Sequence, residues 1–177
     1  MPADREFVAV SVPCQIFKPL REIIKPMFTI RQARENDFPL IRDLIHQVQI
    51  NPMSLDWRRF VVAVNSDDAL IGCGQIKSHG DGSDELASIA VVPAWRNRGV
   101  ATAIIHNLLQ NHSGRLYLTC RANLGSFYEK FGFRSLSEEE MPPYFRRISR
   151  LFNVMTKVSR QSDALLVMVR DEKSVEA

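Results

Sequence analysis

The stretch Val91-Val92-Pro93-Ala94-Trp95-Arg96-Asn97-Arg98-Gly99-Val100-Ala101 decides how the rest of the chain is read. Strand-forming residues run from Leu86 to Val92 and stop at Pro93, which cannot donate to a sheet ladder. Beyond the turn, Val100, Ile104 and Leu108 recur at helical spacing, with Ala101, Ile105 and Leu109 beside them. Strand, basic turn and helix together form a cradle for phosphate. The first amides of a helix lack intrahelical partners, and its dipole places partial positive charge there. Gly99 lets the backbone approach a ligand, Ala101 keeps that approach nearly as open, and Arg96 and Arg98 add full charges at the rim. The turn is neither a Walker loop nor a Rossmann fingerprint. No Gly-Lys-Ser/Thr follows it, and the three-glycine pattern is absent.

Working outward, Phe28 to Arg31 reads as a strand. Asn36 or Asp37 caps a helix with Phe38, Ile41, Leu44, Ile45 and Val48 on one face, Pro39 in its first turn and Asn51-Pro52 at its end. Arg59 to Val64 and Leu70 to Lys77 are strands around an Asn65-Ser66-Asp67-Asp68 turn, and Gly80 to Ser83 is a second turn. Glu85 to Val92 is the strand that enters the basic turn, and residues 99–110 form the helix that leaves it. Leu116 to Cys120 is a buried-type strand, followed by a short helix over Leu124 to Phe131 and a strand starting at Gly132-Phe133. After Glu138-Glu139-Glu140, a helix is expected near 143–160, and Ala164 to Val169 is the last strand. The order predicts an α/β (α+β) fold: a mixed sheet of six to seven strands flanked by helices.

A chain of 177 residues suits one domain. Its 23 basic residues face 20 acidic ones, a net charge of +3, so nucleic acid is not the expected partner. Cys14, Cys73 and Cys120 lie far apart, and no Cys/His spacing predicts a metal site. Buried free thiols in a cytoplasmic protein are expected. No apolar run approaches the ~20 residues of a membrane helix. Residues 1–27 read as an extension, either an arm on the domain or disordered. Phe7 to Val12 is strand-like, and Pro13, Pro19 and Pro26 punctuate the remainder of the extension. The domain is expected over 28–177, and Met27 is an alternative start.

Arg96, Gly99 and Ala101 resemble the Arg/Gln-x-x-Gly-x-Gly/Ala loop of the GNAT acetyltransferase superfamily. A second signature, Asn123-Leu124-Gly125-Ser126-Phe127-Tyr128-Glu129-Lys130-Phe131-Gly132-Phe133, resembles that superfamily's Asn…Tyr-Glu-Lys-x-Gly-Phe segment. The resemblance runs from Phe28 to Arg170. It leaves out residues 1–27, and the 143–160 helix looks like an insertion. It implies a splayed central pair of parallel strands, here 85–92 and 115–120, with acetyl-CoA as cosubstrate in the gap. Pantetheine would lie along Ala90, Val91 and Val92. The pyrophosphate would sit on the amides of Arg98, Gly99, Val100, Ala101 and Thr102 near Arg96, and Asn123 would hold the pantetheine arm. No metal is implied.

The implied reaction is direct acyl transfer from a thioester to a primary amine. The amine must first lose a proton, which costs about 1–5 kcal/mol at neutral pH between an α-amine and a lysine-like one. Glu85 resembles the carboxylate that serves some members as base, the alternative being a solvated strand-end glutamate. Tyr128 matches the family's general acid, the alternative being a core aromatic beside Phe127, Phe131 and Phe133. A backbone amide near Val91 would stabilise the oxyanion. The acceptor is a small-molecule amine, an amino acid or a protein or peptide amine, and a homodimer is one assembly open to the chain. On the 143–160 helix, Tyr144, Ile148, Leu151, Phe152, Met155 and Val158 form one stripe. Arg146, Arg147, Arg150, Lys157 and Arg160 lie mostly off it, as a solvated face or as a lid offering arginines to an acceptor. A different class of function, a catalytically silent acyl-CoA-binding domain that regulates a protein partner, is the alternative to the enzyme.

Overall fold

The computed structural model describes residues 27–159 and 165–171, with the backbone alone over 153–159. The strand-like Phe7 to Val12, Cys14, Arg160 and the side chains of Met155, Lys157 and Val158 lie outside that description. Seven strands form one sheet in the order β1-β2-β3-β4-β5-β7-β6. These are β1 (Phe28–Gln32), β2 (Phe60–Asn65), β3 (Leu70–Ser78), β4 (Asp84–Val91), β5 (Leu116–Arg121), β6 (Arg134–Ser135) and β7 (Leu165–Arg170). All neighbours are antiparallel except β4 and β5. The helices are α1 (Phe38–Gln47), α2 (Val100–Gln110), α3 (Gly125–Glu129) and α4 (Pro143–Ser159).

Strand alternation sorts the core into layers. Val61, Ala63, Ile71, Leu86, Leu116, Leu118 and Cys120 pack against Val100, Ile104, Ile105 and Leu108 of α2. The opposite face carries two separate clusters. Phe60, Val62, Val64, Cys73 and Ala90 meet Ile41, Leu44 and Ile45 of α1. Tyr117, Val167 and Val169 meet Met141 and Phe145 at the start of α4. Between those two apolar clusters runs a seam of polar side chains from β3, β4 and β5.

Three expectations are corrected. Helix α1 ends at Gln47, ahead of Asn51-Pro52, because the chain turns through Gln49 at φ 57°. The strand after Gly132-Phe133 is only Arg134–Ser135. The α4 stripe is rotated: Phe145 and Ser149 face inward, while Leu151 is 59% exposed. Tyr117, Val167 and Val169 provide the apolar surface that Phe145 fills, and the helical periodicity alone does not say which face that surface meets. Arg146 and Arg150 turn back onto residues 138–141. Arg146 donates to the carbonyls of Glu138, Glu139 and Met141, and Arg150 Nε lies 2.6 Å from Glu138 Oε1. The acidic run thus engages two of the arginines that the lid alternative required.

Candidate active site

Strands β4 and β5 pair over only two rungs, Asp84 with Leu116 and Glu85 with Tyr117. Beyond Glu85 they diverge. The cause lies in β4: its pairing with β3 shifts between Cys73 and Gln75, and Ser88 holds φ 58°. Such a bulge bends its strand. Gln75 Nε2 donates to Ser88 Oγ at 3.0 Å and clamps the bend from a fully buried position.

The gap exposes one strand edge. The Val92 amide donates to Ile71 O on β3 at 2.9 Å. Strand alternation therefore turns the Val91 amide and carbonyl the other way, into the gap. Ala90, opposite Cys73, is 2% exposed, and its side chain belongs to the α1 cluster. At the end of β4, Gly99 has φ 80° and open space where a Cβ would stand, which suits close approach of a ligand. The first intrahelical bond of α2 is Ala103 N to Gly99 O, so the amides of Val100, Ala101 and Thr102 precede the ladder. Arg96 and Arg98 are exposed at this rim, and Arg98 lies over the Trp95 ring. Asn123 is exposed in the turn after β5.

Glu85 and Tyr128 lie on opposite faces of the sheet. Glu85 is 7% exposed and sits in the polar seam. Its Oε1 accepts from Thr119 Oγ1 at 3.1 Å, across the diverging strands, and its Oε2 lies 3.0 Å from His79 Nε2. His79 is stacked on Tyr144 at 3.5 Å and meets Phe145 edge-on. Asp81, in the β3–β4 turn, accepts from the Tyr144 amide at 2.8 Å, so α4 is fastened over the carboxylate's imidazole partner. Tyr128 packs on the other face with Phe127 and Phe133 and against the cluster holding Cys120. Burial pushes its phenol up to about 12, and Cys120 adds to the rise. Burial likewise raises the Cys73 and Cys120 thiols, to about 12 and about 11.

Sequence reasoning singled out Glu85 and Tyr128 but not His79, Thr119, Gln75, Ser88 or Lys77. A signal existed: Gln75 and Lys77 of β3, with His79 just past its end, alternate along one polar face of an otherwise apolar strand.

Residues 56–135 match the Acetyltransferase (GNAT) domain. An amino-acid acetyltransferase of Neisseria meningitidis serogroup A is 26% identical over 132 residues, 67% of this chain. The chain spans 30% of the length of that relative. Among solved structures, N-acetylglutamate synthase from Neisseria gonorrhoeae, complexed with coenzyme A and L-arginine, aligns with a TM-score of 0.63 and 23% identity. That alignment covers 84% of this chain and 34% of the synthase. Rv2747 from Mycobacterium tuberculosis, solved with CoA, aligns over 81% of this chain and 98% of its own, with a TM-score of 0.62 and 22% identity. Residues 56–135 thus carry the likeness to the GNAT acetyltransferase domain, and the sheet has the fold of these solved structures. Among the described residues no helix is long and apolar enough to cross a membrane, and no three His, Cys, Asp or Glu side chains cluster as a metal site.

Proposed function

We propose that this domain transfers the acetyl group of acetyl-CoA directly to a primary amine. The observation that carries the reading is the two-rung pairing of β4 with β5, which opens a gap at the position where a buried carboxylate is held. Pantetheine pairs with the free edge at Val91, and the pyrophosphate rests on the amides of residues 98–102 with the Arg96 and Arg98 side chains at the rim.

Glu85 takes the proton of the acceptor ammonium. Thr119 and His79 fix the carboxylate's orientation, so proton transfer meets a preset geometry. The freed amine attacks the thioester carbonyl, and the Val91 amide donates to the oxygen that becomes negative. As the C–S bond breaks, the sulfur leaves as a thiolate that takes the Tyr128 proton, and the second proton shed by the nitrogen as the amide forms restores the phenol through solvent. A phenol held near 12 stays protonated throughout the physiological range, so Tyr128 remains a donor to that sulfur. The names of the relatives favour a small amine as acceptor.

The test is thiol release from acetyl-CoA with a panel of amines. Release that depends on an acceptor supports the transferase. Tight acetyl-CoA binding with no release from any acceptor overturns it in favour of a silent acyl-CoA-binding domain. Gly99→Glu, which puts bulk and negative charge where the pyrophosphate rests, should abolish binding in calorimetry; wild-type affinity in the folded variant overturns the loop assignment.

A further inference from the structure

Lys77 is a buried charge that the proposed reaction leaves unused. It is 8% exposed, yet its ammonium makes one hydrogen bond among the described residues, to the carbonyl of Met53 at 2.8 Å. An ammonium has three donors. Its other two N–H bonds have no partner among the described residues, and a largely buried ammonium gains from an anionic one.

Lys77 and Glu85 are direct partners in the β3–β4 ladder, so their side chains leave the sheet on the same face, about 5 Å apart at Cβ. Opposite charges so placed ordinarily close an ion pair. These two do not: no Lys77 nitrogen comes within 4.0 Å of the Glu85 carboxylate. Each is drawn elsewhere. Glu85 is held by His79 and Thr119 toward the gap, and Lys77 reaches for Met53 in the loop between α1 and β2. The result is a fixed negative charge and a fixed positive charge, side by side and unclosed, in a seam between two apolar clusters.

We propose that Lys77 binds the carboxylate of the acceptor, whose ammonium lies against Glu85, so that the acceptor is a free α-amino acid. The inference rests on the transferase reading above and names the substrate class of that site. A zwitterion matches the seam in charge and order: its ammonium meets the proton acceptor beside the gap, and its carboxylate meets the unused ammonium donors one strand away. It also leaves the site neutral, since the two ligand charges offset the two side-chain charges. Burial lowers the Lys77 pKa, while the charge of Glu85 raises it and that of Arg59 lowers it further. A carboxylate bound at Lys77 adds a second anion that favours the charged lysine. A protein lysine or a simple alkylamine brings no carboxylate to this position and leaves Lys77 as bare as before.

The experiment compares free L-amino acids with their α-amides and with the corresponding decarboxylated amines, in wild type and in Lys77→Met, which keeps the length and removes the charge. The readout is the ratio of kcat/KM between each free acid and its amide, together with calorimetric acetyl-CoA affinity. In wild type the free acid should lead by about 10²-fold, mainly through KM, as a buried charge-assisted contact would give. In Lys77→Met that ratio should fall to within a few-fold of one. Because the ratio is taken within one variant, partial loss of folded protein does not alter it. Equal use of acid and amide by the wild type, or an unchanged ratio in Lys77→Met, overturns the Lys77 assignment while leaving the transferase standing. Acetyl-CoA binding without thiol release from any acceptor overturns both.

Discussion

The two faces of the β4–β5 gap are built on opposite principles. On one, Glu85 lies among polar partners, with a hydroxyl and an imidazole on its two oxygens. On the other, Tyr128 lies among Phe127, Phe133 and the α2 cluster, and no hydrogen bond to its hydroxyl is found among the described residues. A base must ionise, so it needs partners that keep a buried carboxylate oriented. An acid needs only to keep its proton until charge develops on the leaving atom, and an apolar wall does that by making the phenolate unfavourable. One sheet can hold both because alternation along each strand sends neighbouring residues to opposite faces.

If that division is right, Glu85→Gln should have the largest effect. It keeps the shape, and Thr119 can still donate to the amide oxygen. Turnover should fall about 10³-fold near neutral pH. Part of the loss should return in alkali, where the amine is already neutral, and sooner for an α-amine than for a lysine-like one. A loss equal at every pH would make Glu85 a binding group, and the polar face would not be the basic one.

Tyr128→Phe should come next. It preserves the ring packing and removes only the donor, so kcat should fall about 10²-fold where chemistry limits turnover. The acetyl-CoA affinity measured by calorimetry should stay close to wild type. Unchanged kcat would return Tyr128 to the core and leave the apolar face without a chemical role.

Arg96→Ala tests the rim, away from both faces. Its guanidinium is exposed, so its contribution is charge in open solvent. Acetyl-CoA affinity should drop about fivefold at low salt, and the difference should shrink as ionic strength rises. A loss independent of salt would indicate a shape contact instead.

The smallest effect is expected remote from the gap, at Asp37 before α1. Arg31 NH1 and NH2 hold its two oxygens at 2.7 and 3.0 Å. That bonding, with the Arg34 amide, keeps the carboxyl below its ordinary value. A depressed carboxyl adds stability above its unfolded pKa and loses it as pH falls through the folded one. Asp37→Asn should therefore cost about 1–2 kcal/mol at pH 7 and much less at pH 3, read as Tm at the two pH values. Neither kcat nor the acid-to-amide ratio should follow it.

The cofactor half of the site was legible in the chain because its chemistry is local. The strand end, the glycine and the helix start all fall within Val91 to Ala101, where backbone amides stand ahead of the helical ladder and are free for the proposed binding. The proposed acceptor half was not. Its candidates come from the end of β3, from β4, β5 and α4, and no short window contains His79, Glu85, Thr119 and Tyr144 together. The arginines of α4 illustrate the same limit. Their spacing reads as a free basic face, yet Arg146 and Arg150 fold back on residues 138–141.

The sequence by itself determined the alternation of elements, the basic turn and the two signatures, since periodicity and turn chemistry act between residues a few positions apart. It carried the identities of Glu85 and Tyr128 but neither their faces nor their partners. Those depended on register: the shift opposite Cys73 and Gln75, the bend at Ser88 and the end of pairing after Glu85. A shift of one residue in register sends every side chain of a strand to the other face. Only the packed sheet decided that Lys77 and Glu85 stand side by side without closing, and that Tyr128 packs on the face opposite theirs.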